Sequence, residues 1–235
     1  MIGFSAAIAK ENTRGFVAVI PDIKCVSPKL GDLLKGRDPV ETAKYLVQCG
    51  AKALSVVTER ERFGGSPELL CDIVRATGVP VLRKDFFTSD DMLYESAELG
   101  AAAVLLICAT TDEKTLTKQY ETAIKLRLEP FVETCNAEEM AFAKKLGARL
   151  VGINNRDIAT LELDDGGPSR TAELISGAPA GTLLVSESGI LSRSDAEFAA
   201  SAGANAILVG TALWQADDMA AKYRSLRVRH TMINP

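Results

Sequence analysis

Four places along the chain share one pattern, in which an amphipathic stretch ends at a glycine and an apolar run follows. The four motifs are Gly50-Ala51-Lys52-Ala53, Gly100-Ala101-Ala102-Ala103, Gly147-Ala148-Arg149-Leu150 and Gly203-Ala204-Asn205-Ala206. Glycine adopts the left-handed conformation without steric cost, so each motif predicts the end of a helix followed by a buried strand. The motifs recur about every 50 residues, a spacing that fits two strand–helix units per step.

Further apolar runs and helical patterns lie between these motifs. The runs FVAVIPDI, VPVLRKD, PFVET and TLLVSE predict the second strand of each step. Helices are predicted over 38–49, 89–99, 136–146 and 192–202, with Asp38, Ser89, Asn136 and Ser194 as capping residues. Eight strands alternating with helices predict an α/β fold, a single (β/α)8 TIM barrel over residues 1–235. A doubly wound open sheet is the alternative, weakened because no G-x-G-x-x-G turn follows the first strand.

Composition and charge exclude several classes of protein. The chain is 47% hydrophobic and 25% charged, with a net charge of −4, which argues against non-specific nucleic-acid binding. No apolar run approaches the roughly 20 residues that span a bilayer, and the N-terminal segment lacks the pattern of a signal peptide. We therefore expect a cytoplasmic protein with neither a nucleic-acid nor a membrane partner. The sequence sets no oligomeric state and is compatible with a monomer.

Cysteine and histidine usage narrows the chemistry. The five cysteines form no C-x-x-C pair, which disfavours a disulfide framework and a zinc site. His230 stands near the C-terminus without a carboxylate partner in sequence. If the protein is an enzyme, we expect its proton transfers to use lysines and carboxylates, with no metal.

Charged and amide side chains gather at the predicted strand ends, which form the working face of a (β/α)8 barrel. Those expected to converge on one rim are Lys24, Lys84, Glu133, Asn154, Arg156 and Glu187. Ordinary solvation of strand ends explains one or two of them. It explains less well two lysines and two glutamates within or directly after apolar strands, because burial there is costly unless charges are paired. Such clusters shift one another's pKa values and suit acid–base chemistry.

The last two strand ends predict a phosphate site. Ser188 and Gly189 precede a helix that starts near Ser192, and Gly210 and Thr211 precede the final helix. Glycine lets backbone N–H groups approach an anion closely, and phosphate sites recur after strands seven and eight of this fold.

Five segments together resemble the indole-3-glycerol phosphate synthase family, in order from about residue 17 to about residue 218. They are Asp22-Ile23-Lys24-Cys25-Val26-Ser27-Pro28, Leu54-Ser55-Val56-Val57-Thr58-Glu59 with Phe63-Gly64-Gly65-Ser66, Val81-Leu82-Arg83-Lys84-Asp85-Phe86, Gly152-Ile153-Asn154-Asn155-Arg156-Asp157 and Ser186-Glu187-Ser188-Gly189-Ile190. The resemblance implies a cofactor-free lyase of tryptophan biosynthesis. Its substrate would be an anionic phosphosugar, 1-(2-carboxyphenylamino)-1-deoxyribulose 5-phosphate, which loses CO₂ and water to give indole-3-glycerol phosphate.

The resemblance also implies roles for individual residues. Lys84 matches the general acid, Lys24 the lysine that holds the substrate's negative charge, and Glu133 the carboxylate used in dehydration, while Asp22 belongs to the catalytic set. Residues implied to bind the rest of the substrate are Ser27, Asn154, Arg156 and Glu187, with Phe63 and Phe86 as apolar walls. The implied phosphate cradle comprises Ser188, Gly189, Gly210 and Thr211.

Three departures from the family pattern keep alternatives open. Asp22 stands where the family usually has Glu, Cys25 and Val26 replace basic residues, and the N-terminal extension is shortened, so that 2–10 would form only a remnant of a substrate-covering helix. One alternative is a related phosphosugar-binding barrel, a lyase or isomerase with an altered substrate. The other is a non-catalytic barrel that binds a phosphate ester.

Overall fold

The computed structural model describes residues 3–156 and 167–230. The described helices are α1 (Phe4–Thr13), α2 (Pro39–Gln48), α3 (Pro67–Thr77), α4 (Asp91–Glu98), α5 (Glu113–Lys125), α6 (Ala137–Leu146), α7 (Ser169–Leu174), α8 (Arg193–Ala202), α9 (Thr211–Trp214) and α10 (Met219–Leu226). The described strands are β1 (Ala18–Ile23), β2 (Val26–Ser27), β3 (Gly31–Asp32), β4 (Leu54–Val57), β5 (Val81–Lys84), β6 (Ala103–Ile107), β7 (Glu129–Thr134), β8 (Leu150–Asn154), β9 (Leu183–Glu187) and β10 (Ala206–Val209).

Eight of the described strands close into a parallel barrel. Its order is β1-β10-β9-β8-β7-β6-β5-β4, and β1 pairs with both β10 and β4. The (β/α)8 prediction is therefore confirmed, and the open-sheet alternative is wrong because no strand edge is left between β1 and β4. The register pairs Lys84 with Val57 and Glu133 with Ile107, the last residues of β4 and β6. Lys84 and Glu133 therefore both lie at the C-terminal end of the barrel.

Two of the four predicted helix caps are confirmed. The side chains of Asp38 and Asn136 accept hydrogen bonds from the backbone N–H groups of the first turns of α2 and α6. The prediction for Ser89 is wrong, since α4 follows Asp90 without a side-chain cap. The prediction for Ser194 is also wrong. Ser192 caps α8 because it can exchange hydrogen bonds with Asp195 three residues later, the geometry of a capping box.

Alternation along each strand divides the core into an interior and an exterior part. In β6, Leu105 and Ile107 point into the barrel, whereas Val104 and Leu106 pack against the surrounding helices. The interior apolar residues fill the lower part of the barrel and leave the C-terminal mouth to the polar residues.

Helix α1 closes the N-terminal end of the barrel. Phe4 and Ile8 are fully buried and pack with first residues of the strands, such as Ala18 and Ala103. The expectation that this segment is a remnant of a substrate-covering helix is wrong. The apolar side of α1 fits the apolar floor of the barrel, at the end opposite the charged mouth. Among the described residues, no helix is long and apolar enough to cross a membrane.

Candidate active site

A cavity that is open to solvent lies at the C-terminal mouth of the barrel. It brings together nine of the residues predicted from sequence, namely Asp22, Lys24, Phe63, Lys84, Phe86, Glu133, Asn154, Arg156 and Ser188. They come from β1, β5, β7 and β8 and from the loops that follow the strands. Residues far apart in sequence, such as Asp22 and Ser188, therefore face one space, as the strand-end argument predicted.

Lys84 and Glu187 form an ion pair at the floor of the mouth. Lys84 Nζ donates a hydrogen bond to Glu187 Oε2 at 2.7 Å, and the two side chains are 18% and 1% exposed. Burial raises the pKa of Glu187 to about 7, although Lys84 opposes the shift. Burial alone would lower the pKa of Lys84. The carboxylates of Glu187, Asp22 and Glu133 outweigh burial, so the pKa of Lys84 lies above its usual value.

Two buried carboxylate oxygens near Lys84 have no hydrogen-bond partner among the described residues. They are Asp22 Oδ1 and Glu187 Oε1. A buried acceptor without a donor costs free energy. Asp22 lines the larger cavity, so its Oδ1 indicates a place prepared for a ligand group, whereas Glu187 Oε1 lies against Gly152 and outside the cavity linings. Glu133, by contrast, is held on one side, because Asn154 Nδ2 donates to Glu133 Oε1 at 3.1 Å.

Gly152 makes room for the Glu187 carboxylate. A Cβ at this position of β8 would lie 2.1 Å from Glu187 Oε1 and 2.5 Å from the ring of Phe131. Any side chain there would push the carboxylate away from Lys84. This clash explains why the apolar run LVGI contains a glycine, which the sequence pattern alone does not explain.

One side of the cavity is aromatic and apolar. Phe63 and Phe86 line it together with Leu105 and Ile107. Lys24 Nζ lies 5.7 Å from the centroid of the Phe63 ring, so a cation stands beside the aromatic surface. This arrangement suits a flat aromatic group that carries a negative charge.

The other side of the mouth is a smaller adjoining cavity suited to an anion. The predicted cradle residues Ser188, Gly189, Gly210 and Thr211 all line it, and Lys24, Lys84 and Arg156 contribute to the same wall. Ser188 and Gly189 have φ values of 63° and 70°, so two successive residues are left-handed. The predicted position of the final helix is wrong. Gly210 directly precedes the four-residue α9, whose first residue is Thr211, and the final helix α10 begins only at Met219.

Two predicted site residues lie outside the linings of both cavities. Ser27 is 1% exposed and pairs with Gly31 in the β2–β3 hairpin. Glu187 is fully buried and contacts the cavity through Lys84. Asp157, the last residue of one family-like segment, lies outside the described residues.

The sequence reasoning missed several lining residues. Glu59, Asp85, Leu105 and Ile107 also face the larger cavity. Period-two alternation in β6 could have identified the two aliphatic residues, since they share a parity that points inward. Among the described residues, no group of three or more His, Cys, Asp or Glu side chains has the arrangement of a metal site.

Comparison with known proteins identifies the family. The family model described as indole-3-glycerol phosphate synthase matches residues 1–226. The chain is 42% identical to the indole-3-glycerol phosphate synthase of Thermococcus kodakarensis over 93% of this chain and 94% of that protein. It is 40% identical to the enzyme of the same name from Pyrococcus furiosus, over 94% of each chain.

A solved structure supports the fold alone. The N-acetylmannosamine-6-phosphate 2-epimerase of Clostridium perfringens superimposes with a TM-score of 0.66 at 13% identity, covering 84% of this chain and 88% of that one. The extent of the family match and the identity to its members settle the relationship: the chain belongs to the indole-3-glycerol phosphate synthase family.

Proposed function

We propose that this chain carries out the reaction of its family with the residues of the barrel mouth. The reaction converts 1-(2-carboxyphenylamino)-1-deoxyribulose 5-phosphate into indole-3-glycerol phosphate, CO₂ and water. One observation carries the assignment of the site. Lys84, ion-paired to Glu187 at 2.7 Å, lines both the aromatic cavity and the smaller cavity that is suited to an anion.

The substrate would extend across both cavities. Its aromatic ring would lie between Phe63 and Phe86, with Lys24 and Arg156 beside the ring carboxylate. Its phosphate would occupy the smaller cavity between the Ser188–Gly189 turn and the Gly210–Thr211 segment. The ribulose carbonyl then falls between the two cavities, where Lys84 stands. Holding both ends in this way converts ring closure into a reaction of pre-oriented groups.

Lys84 serves as the general acid in ring closure. The ring carbon that bears the carboxylate attacks the carbonyl carbon, and the carbonyl electrons move to oxygen, which takes a proton from the Lys84 ammonium. The raised pKa of Lys84 keeps it protonated at neutral pH. The bond to the carboxylate then breaks, CO₂ leaves, and its electron pair restores the aromatic ring.

Glu133 serves in the dehydration that follows. The hydroxyl takes up a proton and leaves as water, while the methylene carbon beside the nitrogen loses a proton to Glu133. The hydrogen bond from Asn154 orients Glu133 for this transfer. Lys84, reprotonated from solvent, supplies the proton to the departing hydroxyl. Counted from the carboxylate form of the substrate, the whole reaction takes up one proton and releases CO₂ and water.

Asp22 fits this scheme in spite of its short side chain. Its Oδ1 is buried and lacks a partner among the described residues, and its Oδ2 lies 3.3 Å from the position that a Cβ on Gly210 would occupy. We assign Asp22 as the acceptor for a substrate hydroxyl. Its charge also contributes to the raised pKa of Lys84, an effect that requires proximity but not contact.

A direct assay tests the proposal. Purified protein is mixed with the substrate and a chelator, and the formation of indole-3-glycerol phosphate is followed by indole fluorescence. We expect turnover without metal or nucleotide. We expect Lys84→Met to lower kcat by about 10²- to 10⁴-fold, the usual contribution of a positioned general acid.

Lys118→Met is the matched control, because Lys118 is 71% exposed and its ion pair with Asp90 lies on the surface. This variant should keep the wild-type rate. Absence of product from the folded wild-type protein, or a Lys84→Met rate close to that of the control, would refute the assignment.

A further inference from the structure

A buried polar network lies directly behind the Ser188–Gly189 turn. Its members are Asn155, Thr171 and Ser186, which are 5%, 0% and 0% exposed. None of the three lines either cavity of the mouth. Asn155 directly follows β8, Thr171 lies in the first turn of α7 and Ser186 in the last part of β9, so the network joins three elements.

Asn155 is the centre of this network. Its Nδ2 lies 3.0 Å from Ser186 Oγ, 2.8 Å from the carbonyl oxygen of Glu187 and 3.2 Å from that of Ser188. Its Oδ1 accepts from the backbone N and the Oγ1 of Thr171 at 2.9 and 3.0 Å. The hydroxyls of Thr171 and Ser186 are 2.7 Å apart. Thr171 and Ser186 therefore fix which way the Asn155 amide faces.

These bonds hold both peptide groups that flank Ser188. Ser188 is left-handed with φ of 63°, a conformation that costs a non-glycine residue free energy and that needs support from its surroundings. The carbonyl before Ser188 and the carbonyl after it both accept from Asn155 Nδ2. The Glu187 carbonyl also accepts from the backbone N–H of Asn155 at 2.9 Å, so the Asn155 side chain is the donor that both peptide planes of this strained turn share.

The orientation of the carbonyls also sets the orientation of the N–H groups. The described chain contains no cis peptide bond, and in a trans peptide the C=O and the N–H point in opposite directions. Because the carbonyls of Glu187 and Ser188 point at Asn155, the N–H groups of Ser188 and Gly189 point away from it. Both residues line the smaller cavity.

We propose that Asn155, held by Thr171 and Ser186, is a positioning residue that aims the Ser188 and Gly189 N–H groups at the phosphate of the substrate. This rests on the proposed function only in placing a phosphate in the smaller cavity. Asn155 acts through the backbone and does not touch the ligand.

The test measures binding of inorganic phosphate by calorimetry. Asn155→Asp keeps the shape but places an oxygen against the two carbonyls, so we expect phosphate affinity to fall about tenfold or more, as for the loss of a hydrogen bond of about 1.4 kcal/mol. Thr171→Val is the milder variant and removes the hydroxyl that supports Asn155. It should weaken phosphate binding about three- to tenfold, while Thr171→Ser, which keeps the hydroxyl, should restore it.

Asn205→Asp supplies a matched control at the opposite end of the barrel, where Asn205 Oδ1 accepts from the N–H of Leu184 at 2.8 Å. It should change stability but leave phosphate affinity at the wild-type value. In turnover, the Asn155 and Thr171 variants should raise KM by a similar factor and change kcat much less.

Wild-type phosphate affinity in both Asn155→Asp and Thr171→Val, with only a lower melting temperature, would overturn the proposal. Failure of the wild-type protein to bind phosphate would also overturn it. A wild-type protein that binds phosphate but forms no indole-3-glycerol phosphate would instead refute the proposed function, and the binding comparison would still decide the role of Asn155.

Discussion

The two ends of this barrel differ in the kind of side chain that they bury. At the C-terminal mouth, Lys84 and Glu187 are buried as charged groups, and Asp22 keeps a buried oxygen without a partner among the described residues. At the N-terminal end, the fully buried Phe4 and Ile8 of α1 fill the barrel floor. Even the buried carboxylate of this end, Glu11, has two partners, Arg14 at 2.8 Å and Arg227 at 3.2 Å.

This difference separates the regions that supply chemistry from those that supply stability. A pre-oriented cluster of largely buried charges can stabilise charge that develops in a transition state, but burying these charges costs folding free energy. The apolar floor offsets that cost by burying side chains that need no polar partner. Substitutions at the two ends should therefore affect different measurements.

An effect on rate as large as that of Lys84→Met is expected at Glu133. Glu133→Gln removes the base and keeps the shape, so kcat should fall about 10²- to 10⁴-fold with little change in KM or melting temperature. Glu139→Gln is the control, since this α6 carboxylate accepts from the N–H of Cys135, between β7 and α6, and does not line the cavity. A Glu133→Gln variant that keeps a rate within twofold of wild type would contradict the assignment of the barrel mouth as the active site.

The corresponding effect on stability is expected at the other end. Phe4→Ala removes a fully buried ring from the barrel floor and should lower the free energy of unfolding by about 3–5 kcal/mol, measured in urea. The rate of the remaining folded enzyme should stay close to wild type. A loss of kcat that exceeds the loss of folded protein would contradict the separation of the two ends.

The raised pKa of Glu187 predicts that the free energy of unfolding depends on pH. Its pKa rises from 4.5 to about 7 in the folded state, so the folded state binds the proton more tightly than the unfolded chain. The stability from this proton is complete below pH 4.5 and is lost as the pH rises to about 7. Relative to wild type, Glu187→Gln should gain about 3 kcal/mol between these limits.

Urea unfolding of both proteins across this pH range measures the gain. Glu41→Gln, at an exposed surface pair with Lys44, is the control and should show a flat difference. A Glu187→Gln difference that is equally flat would show that burial does not raise the pKa of this carboxyl.

The smallest effect is expected at the surface of the N-terminal end. Arg14 is 49% exposed, so its ion pair with Glu11 is screened by solvent, and Glu11 keeps Arg227 as a second partner. Arg14→Ala should lower the free energy of unfolding by less than about 1 kcal/mol, and less at high salt. A loss of several kcal/mol in thermal unfolding would show that this network is a larger source of stability than the apolar floor.

The barrel and the convergence at its mouth could be predicted from sequence because they follow from periodic patterns. Apolar runs after glycine motifs indicate the strands, and parallel strands bring their ends together whatever their separation in sequence. That logic alone predicts Lys24, Lys84 and Glu133 in one cavity, where the structure has them. Periodicity says less about helix starts, so it points to Ser89 and Ser194 where Asp90 and Ser192 precede the helices.

Other features of the fold and the site depend on three-dimensional packing, which a linear pattern does not encode. The pattern of α1 indicates a helix but not which end of the barrel it covers. The direction of the Asn155 amide depends on Thr171 and Ser186, which lie 16 and 31 residues away. The need for Gly152 appears only in the closed barrel, where a Cβ on this residue would lie 2.1 Å from Glu187 Oε1.

A crystal structure with indole-3-glycerol phosphate bound tests the central claim most directly. The account predicts the indole ring between Phe63 and Phe86 and the phosphate on the Ser188 and Gly189 N–H groups, with Lys84 Nζ and Glu133 facing the indole carbons formed in the reaction. Product bound elsewhere, or bound with Lys84 and Glu133 turned away from those carbons, would contradict it.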